Sequence, residues 1–182
     1  MIFSREDIFF AINRNYSPCA DGLMYYATSL GEGGVIVTIL ALLMLLKKFR
    51  NWNYALTAFF TNIIPFLTEQ VLKSFFYRPR PLSLYHNRYW VHIGQDWPSL
   101  FTRSFPSGHS EGAFSLLCFL SFLLPEGYKK FGFLFFLIAL SVCYSRIYLG
   151  AHFFEDVYVG SIIGMVFSTF IYSFMSYKYK VV

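Results

Sequence analysis

Residues 131–175 read FGFLFFLIALSVCYSRIYLGAHFFEDVYVGSIIGMVFSTFIYSFM. Two apolar runs, from about Phe131 to Ile147 and from Val157 to Met175, flank a short polar connection. Each approaches the roughly 20 helical residues that a hydrocarbon core of about 30 Å requires. Almost no charge interrupts either run, so both are predicted as membrane spans rather than the helices of a soluble bundle. Polar chemistry gathers where they meet: Ser145 and Arg146 end the first run, and His152 and Asp156 precede the second.

Working outward, the same pattern recurs. Further spans are predicted at about Val35–Leu46, Tyr54–Phe76 and Glu111–Leu124, which makes five, with residues 19–30 as a candidate sixth before the glycines at 31, 33 and 34. Residues 4–14 read as an amphipathic helix that Ser4 can cap, with Ile8, Phe9 and Ile12 on its apolar face. The N-terminus lacks the long apolar region and small-residue cleavage site of a cleavable signal peptide. Over its 182 residues the chain is 56% hydrophobic and 14% charged, with a mean hydropathy of +0.48, whereas soluble domains carry about 25% charged residues. One soluble domain of this size cannot hide so much apolar surface. The expected fold is therefore a single all-α domain over residues 1–182, a polytopic transmembrane helix bundle with an interfacial N-terminal part (1–30) and a long outer loop (77–109). The 23 Phe and 14 Tyr suit a lipid-facing surface with interfacial anchors.

The net charge of +5 is not read as a nucleic-acid signature, because the basic residues lie in short connections between apolar runs. Lys47, Lys48 and Arg50, Lys129 and Lys130, and Lys178 and Lys180 fall on one side by alternation, which assigns that side to the cytoplasm. Connections 77–109 and 148–156 then share the opposite side, with Arg78, Arg80, Arg88, Arg103 and all four histidines. Arginines on that side break the charge rule and imply an anionic partner. Tyr85, Tyr89, Trp90 and Trp97 in the outer loop suit the headgroup region. Cys19, Cys118 and Cys143 have no paired spacing and read as buried free thiols.

Three stretches carry the chemistry. Lys73 precedes Arg80-Pro81, Pro106-Ser107-Gly108-His109 opens the third run, and Ser145-Arg146 is followed by His152 and Asp156. Lys73, Arg80 and Arg146 would be costly at membrane depth without an anion. A phosphate dianion accepts arginine forks and a lysine together. Ser107 and Gly108 can present backbone N–H groups at a helix start, where anions bind. His152 and Asp156, four apart, would share a helical face, so that the carboxylate accepts Nδ1–H and leaves Nε2 as a nucleophile. His109 can protonate a leaving alkoxide and later deprotonate water.

The pattern K-x6-RP, PSGH and SR-x5-H-x3-D resembles the type 2 phosphatidic acid phosphatase (PAP2) superfamily, which includes membrane lipid phosphatases, soluble acid phosphatases and vanadium haloperoxidases. All three motifs match at full spacing between residues 73 and 156. The resemblance implies His152 as nucleophile, Asp156 as its orienting partner and His109 as general acid. It implies that Lys73, Arg80, Ser107, Gly108 and Arg146 bind phosphate, with no metal and no cofactor. The expected partners are a phosphorylated lipid substrate and membrane lipids. Candidate substrates are phosphatidic acid, phosphatidylglycerophosphate, undecaprenyl diphosphate and a lipid A phosphate. The expected location is a bacterial plasma membrane, with the site facing outward.

Plainer readings stand beside these. His86 and His92 read as loop surface residues, and Arg78 as a headgroup contact or a substrate ligand. Thr61, Asn62, Pro65, Thr68 and Glu69 form a polar stripe expected to hydrogen-bond between helices, with the sharper alternative that Glu69 pairs with Lys73. A lipid phosphotransferase, a vanadate-dependent peroxidase and a non-catalytic phospholipid-binding or transport protein remain as rival functions.

Overall fold

A computed structural model describes residues 4–85, 91–93 and 102–179. The described residues form helices and connections: α1 (Arg5–Asn13), α2 (Pro18–Ser29), α3 (Gly33–Leu45), α4 (Trp52–Phe75), α5 (Pro81–Leu84), α6 (Gly108–Leu123), a 3-10 segment (Glu126–Phe131), α7 (Gly132–Tyr148) and α8 (Phe154–Tyr179). Each predicted run lies on a helix to within a few residues at either end. The expectations for His86, Arg88, Tyr89, Trp90, Trp97 and Lys180 lie outside the described residues.

Helix α6 is the centre, packed on α8, α7 and α4. Its N-terminal half is rich in small residues, with Ser110, Gly112, Ala113 and Ser115 all buried. Gly160 and Gly164 of α8 lie against Ser107 and Glu111, so close that a Cβ at either glycine would strike their carbonyl oxygens. Small residues four apart allow this backbone approach between membrane helices. At the C-terminal end of α6, Tyr54, Phe119, Leu123, Ile171 and Met175 close the bundle as a second cluster. Large apolar side chains such as Phe66, Phe136, Met165 and Phe170 point outward.

Five spans are not confirmed by length and composition. Among the described residues, three helical stretches are long and apolar enough to cross a membrane: Trp52–Phe75, Glu126–Tyr148 and Phe154–Tyr179. A fourth arises only if α2 and α3, bent by 58° at their break, count as one. Helix α6 has 16 residues, about 24 Å at 1.5 Å per residue, short of a full hydrocarbon core. Its neighbours surround it, so it needs neither the length nor the apolar surface of a lipid-facing helix. The break between α2 and α3 is packed closely against α6. Gly31 abuts the backbone of His109, and a Cβ at Gly31 would lie 2.5 Å from the His109 carbonyl oxygen.

Two other expectations change. Helix α1 has the predicted Ser4 cap, with Asp7 returning the bond, but Phe9 is fully buried with Val91, Phe114, Ile147 and Phe153. The helix is docked over the bundle. Among the described residues, the hydroxyl and amide groups of the α4 stripe bond within their own helix. Thr61, Asn62 and Thr68 donate back to carbonyls of their own helix at 2.8–2.9 Å, the local bond open to short polar side chains in a helix. The three thiols are free, but only Cys143 is buried, while Cys19 is exposed.

Candidate active site

The three motifs meet at one end of the bundle, tied by backbone hydrogen bonds. Ser104 N–H donates to Arg78 O at 3.0 Å, joining the second motif's approach to the first. Ser107 N–H donates to Asp156 O at 2.9 Å, joining the second to the third. Ser107 caps α6, its Oγ accepting from Ser110 N–H. Ala151 and His152 donate to Arg146 O at 3.0 and 3.2 Å, which folds the chain back over the end of α7. His152 thus sits in the turn before α8 and not on a helix. The expected shared helical face is replaced by Asp156 in the first turn of α8, whose Oδ2 accepts from Phe153 N–H at 3.1 Å.

Arg80 and His152 are in direct contact. The guanidinium is held from three sides: Nε donates to Thr102 O at 2.9 Å, Nη1 to Ala151 O at 3.1 Å and Nη2 to Arg103 O at 3.4 Å. Nη1 also lies 3.2 Å from His152 Nε2. A guanidinium can only donate, so Nε2 carries the lone pair and Nδ1 the proton. Nδ1 is 3.7 Å from Asp156 Oδ2, beyond a direct hydrogen bond. The Ser104 hydroxyl fills that gap. It donates to Asp156 Oδ2 at 2.5 Å and lies 3.4 Å from Nδ1. Ser104, fully buried, is a residue that sequence reasoning did not single out. Its position two residues before Pro106 is the only signal it gave.

His152 is 1% exposed. Burial first, then the field of Arg80, Arg146 and Lys73, holds its imidazole well below the ordinary value, which favours the neutral ring with its lone pair on Nε2. Arg146 is buried at the back of the site, with Nη1 donating to Thr28 Oγ1 at 2.8 Å. Thr28 of α2 is a second residue not foreseen. Lys73, at the last turn of α4, is ion-paired with Glu69 as the sharper reading of the stripe expected. His109, in the first turn of α6, lies in the field of Arg146, His152, Lys73 and Arg80. Every site residue named from the sequence therefore belongs to one cluster.

Lys73, Gly108 and His109 also line the polar end of a cavity of about 460 Å³ between α3, α4 and α6. Its other walls are mainly apolar, including Ile36, Leu40, Ile63 and Phe66. Arg78 is exposed, its guanidinium stacked 4.6 Å over Phe105. His92 is not a free loop residue. Its Nε2 lies 2.7 Å from Asp21 Oδ1, and its ring stacks on Tyr16 at 3.9 Å. Its backbone is clasped by the buried Asn13 side chain, which pins the outer connection to α1.

Solved structures share this architecture. LpxE of Aquifex aeolicus superposes with a TM-score of 0.77 at 28% identity, covering 94% of this chain and 96% of that one. A PAP2-type phosphatidylglycerolphosphate phosphatase of Bacillus subtilis gives 0.76 at 26% identity, over 93% of this chain and 83% of that one. In sequence, an undecaprenyl-diphosphatase of Sulfolobus acidocaldarius is 29% identical over 162 residues, 87% of this chain and 72% of the relative. These likenesses and the apolar helices mark a multi-pass membrane protein. The PAP2 superfamily model matches residues 50–180, which span all three motifs and the buried Arg80–His152 pair, and the chain belongs to that superfamily.

Proposed function

We propose that this protein is a membrane phosphatase that hydrolyses a phosphomonoester or diphosphate of a lipid through a phosphohistidine on His152. The observation that carries the reading is the 3.2 Å approach of Arg80 to the unprotonated Nε2 of a buried histidine, beside a largely apolar cavity that begins at Lys73 and His109. A phosphoryl group bound by Arg80, Lys73, Arg146, the Ser107 hydroxyl and the Gly108 N–H would present its phosphorus to Nε2, the Ser107 N–H being taken by Asp156 O. The cavity offers room for a lipid chain on the same side.

In the first displacement Nε2 forms the N–P bond while the P–O bond to the lipid breaks. His109 gives its proton to the leaving oxygen. Ser104 and Asp156 hold Nδ1–H and stabilise the positive charge that the ring acquires. In the second displacement water attacks phosphorus, His109 takes the water's proton, and orthophosphate leaves as Nε2 is restored. The cations are fixed before reaction, so little reorganisation is needed as charge spreads over the phosphoryl oxygens. Among the described residues the site holds the cations Arg80, Arg146 and Lys73, with Asp156 behind the imidazole and Glu69 paired to Lys73, a set suited to an oxyanion. The reading places the site on the outer side of the plasma membrane, opposite the basic connections at the inner end.

The relatives act on different headgroups by name, an isoprenyl diphosphate and a phosphatidylglycerol phosphate, so this reading specifies the lipid phosphate class and not the lipid. The test is a panel of purified lipid phosphates in detergent with EDTA present. Release of orthophosphate by the wild type and its loss by orders of magnitude in His152→Ala supports the reading. Turnover that survives in His152→Ala, or that EDTA abolishes, defeats it. A labelled donor whose phosphate appears on a second lipid instead of in water identifies a phosphotransferase.

A further inference from the structure

The side chain of Glu69 is 1% exposed and ion-paired with Lys73, which is itself 17% exposed. Oε2 accepts from Gln70 Nε2 at 2.5 Å. Oε1 has no hydrogen-bonded partner among the described residues besides the ion pair with the lysine. The pair stands against Gly108, where a Cβ would come within 2.8 Å of Oε1 and 3.6 Å of Lys73 Nζ. A side chain at position 108 would therefore displace the carboxylate. Glu69 thus places a carboxylate oxygen beside the lysine and the start of α6, where the proposed mechanism puts an oxygen of the phosphoryl group.

We infer that Glu69 is a resident counter-ion that holds Lys73 while the site is empty, competes with phosphate for it, and so promotes release of the orthophosphate product. The inference rests on Lys73 being a phosphate ligand, as proposed above. Two arginines and an unopposed lysine would hold the product dianion as readily as the substrate, and affinity for ground states does not speed turnover. A carboxylate that takes the lysine back as phosphate departs lowers that affinity while keeping the ammonium in place. The alternative role, in which Glu69 only orients Lys73, predicts the opposite sign: its removal would weaken phosphate binding.

The experiment is calorimetric titration of orthophosphate into the purified full chain in detergent, paired with steady-state turnover. Glu69→Gln should bind orthophosphate about tenfold more tightly, the scale of one charge-assisted hydrogen bond, and should lower kcat more than kcat/KM. Glu69→Asp, which restores the carboxylate, should return towards wild type. Lys73→Met should bind more weakly, and Glu69→Gln added to it should change affinity by less than about twofold, because the carboxylate then has no lysine to withdraw from phosphate. Should Glu69→Gln not fold, Gln70→Met serves instead. It strips the second bond from the carboxylate, leaves its charge to the lysine, and should weaken phosphate binding about threefold. Unchanged or weaker binding in Glu69→Gln, tightening that persists without Lys73, or unchanged or tighter binding in Gln70→Met overturns the inference and leaves the phosphatase reading standing. If Lys73→Met leaves phosphate affinity unchanged, the phosphate cradle itself fails, and the inference with it.

Discussion

Ser104→Ala removes one hydroxyl from a fully buried position and nothing else. In the folded protein that hydroxyl donates to Asp156 Oδ2 at 2.5 Å and stands 3.4 Å from His152 Nδ1. Without it the carboxylate keeps, among the described residues, the Phe153 N–H donor at 3.1 Å, and the imidazole faces Asp156 across 3.7 Å. A hydrogen bond to a charged group contributes about 1.5–3 kcal/mol. If that support is needed most when His152 becomes positively charged, the loss falls on the transition state and lowers kcat about ten- to a hundredfold. KM should change little, because Ser104 is not among the proposed phosphate ligands. The assay is orthophosphate release from a lipid phosphate in mixed micelles, with kcat and KM resolved separately and the unfolding midpoint measured alongside. A variant that folds normally and keeps kcat within about twofold refutes the idea that Ser104 couples Asp156 to the nucleophile.

Arg80→Lys keeps the charge but cannot span Thr102 O, Ala151 O, Arg103 O and His152 at once. Loss of two charge-assisted bonds should lower kcat/KM by about a hundredfold or more, and a deficit under threefold in the same release assay would count against the guanidinium as a fixed element of the site. For stability, the folded His152 has its proton affinity depressed by burial and by Arg80, Arg146 and Lys73. The unfolded chain therefore binds a proton below about pH 6.5 that the folded chain does not, so stability is lost as pH falls below that value, by up to about 1.4 kcal/mol per pH unit for this group. His152→Gln should flatten that part of the acid limb, and identical slopes for wild type and variant between pH 7 and pH 5 would contradict the assignment.

The sequence by itself determined the helices and the chemistry. Apolar runs such as 131–147 and 157–175 can only satisfy their backbone in lipid by helix formation. Three spaced motifs carry the fixed charge and the imidazoles on which the proposed oxyanion site rests. Ser4 as a cap and Glu69 as the partner of Lys73 were also legible, because both depend on neighbours within one turn of the same helix. What only tertiary structure decided depends on contacts between distant segments. No local pattern reveals that α6 can be short because α4, α7 and α8 enclose it, or that Phe9 of the first helix is buried against the turn carrying His152. The same holds for Ser104 standing between His152 and Asp156, and for Thr28 meeting Arg146 across the bundle. A serine or threonine in a connection has the same sequence signature whether it faces water or a buried carboxylate. Periodicity and local charge fix what a segment is, whereas the packing of segments far apart in the chain fixes which polar atom meets which.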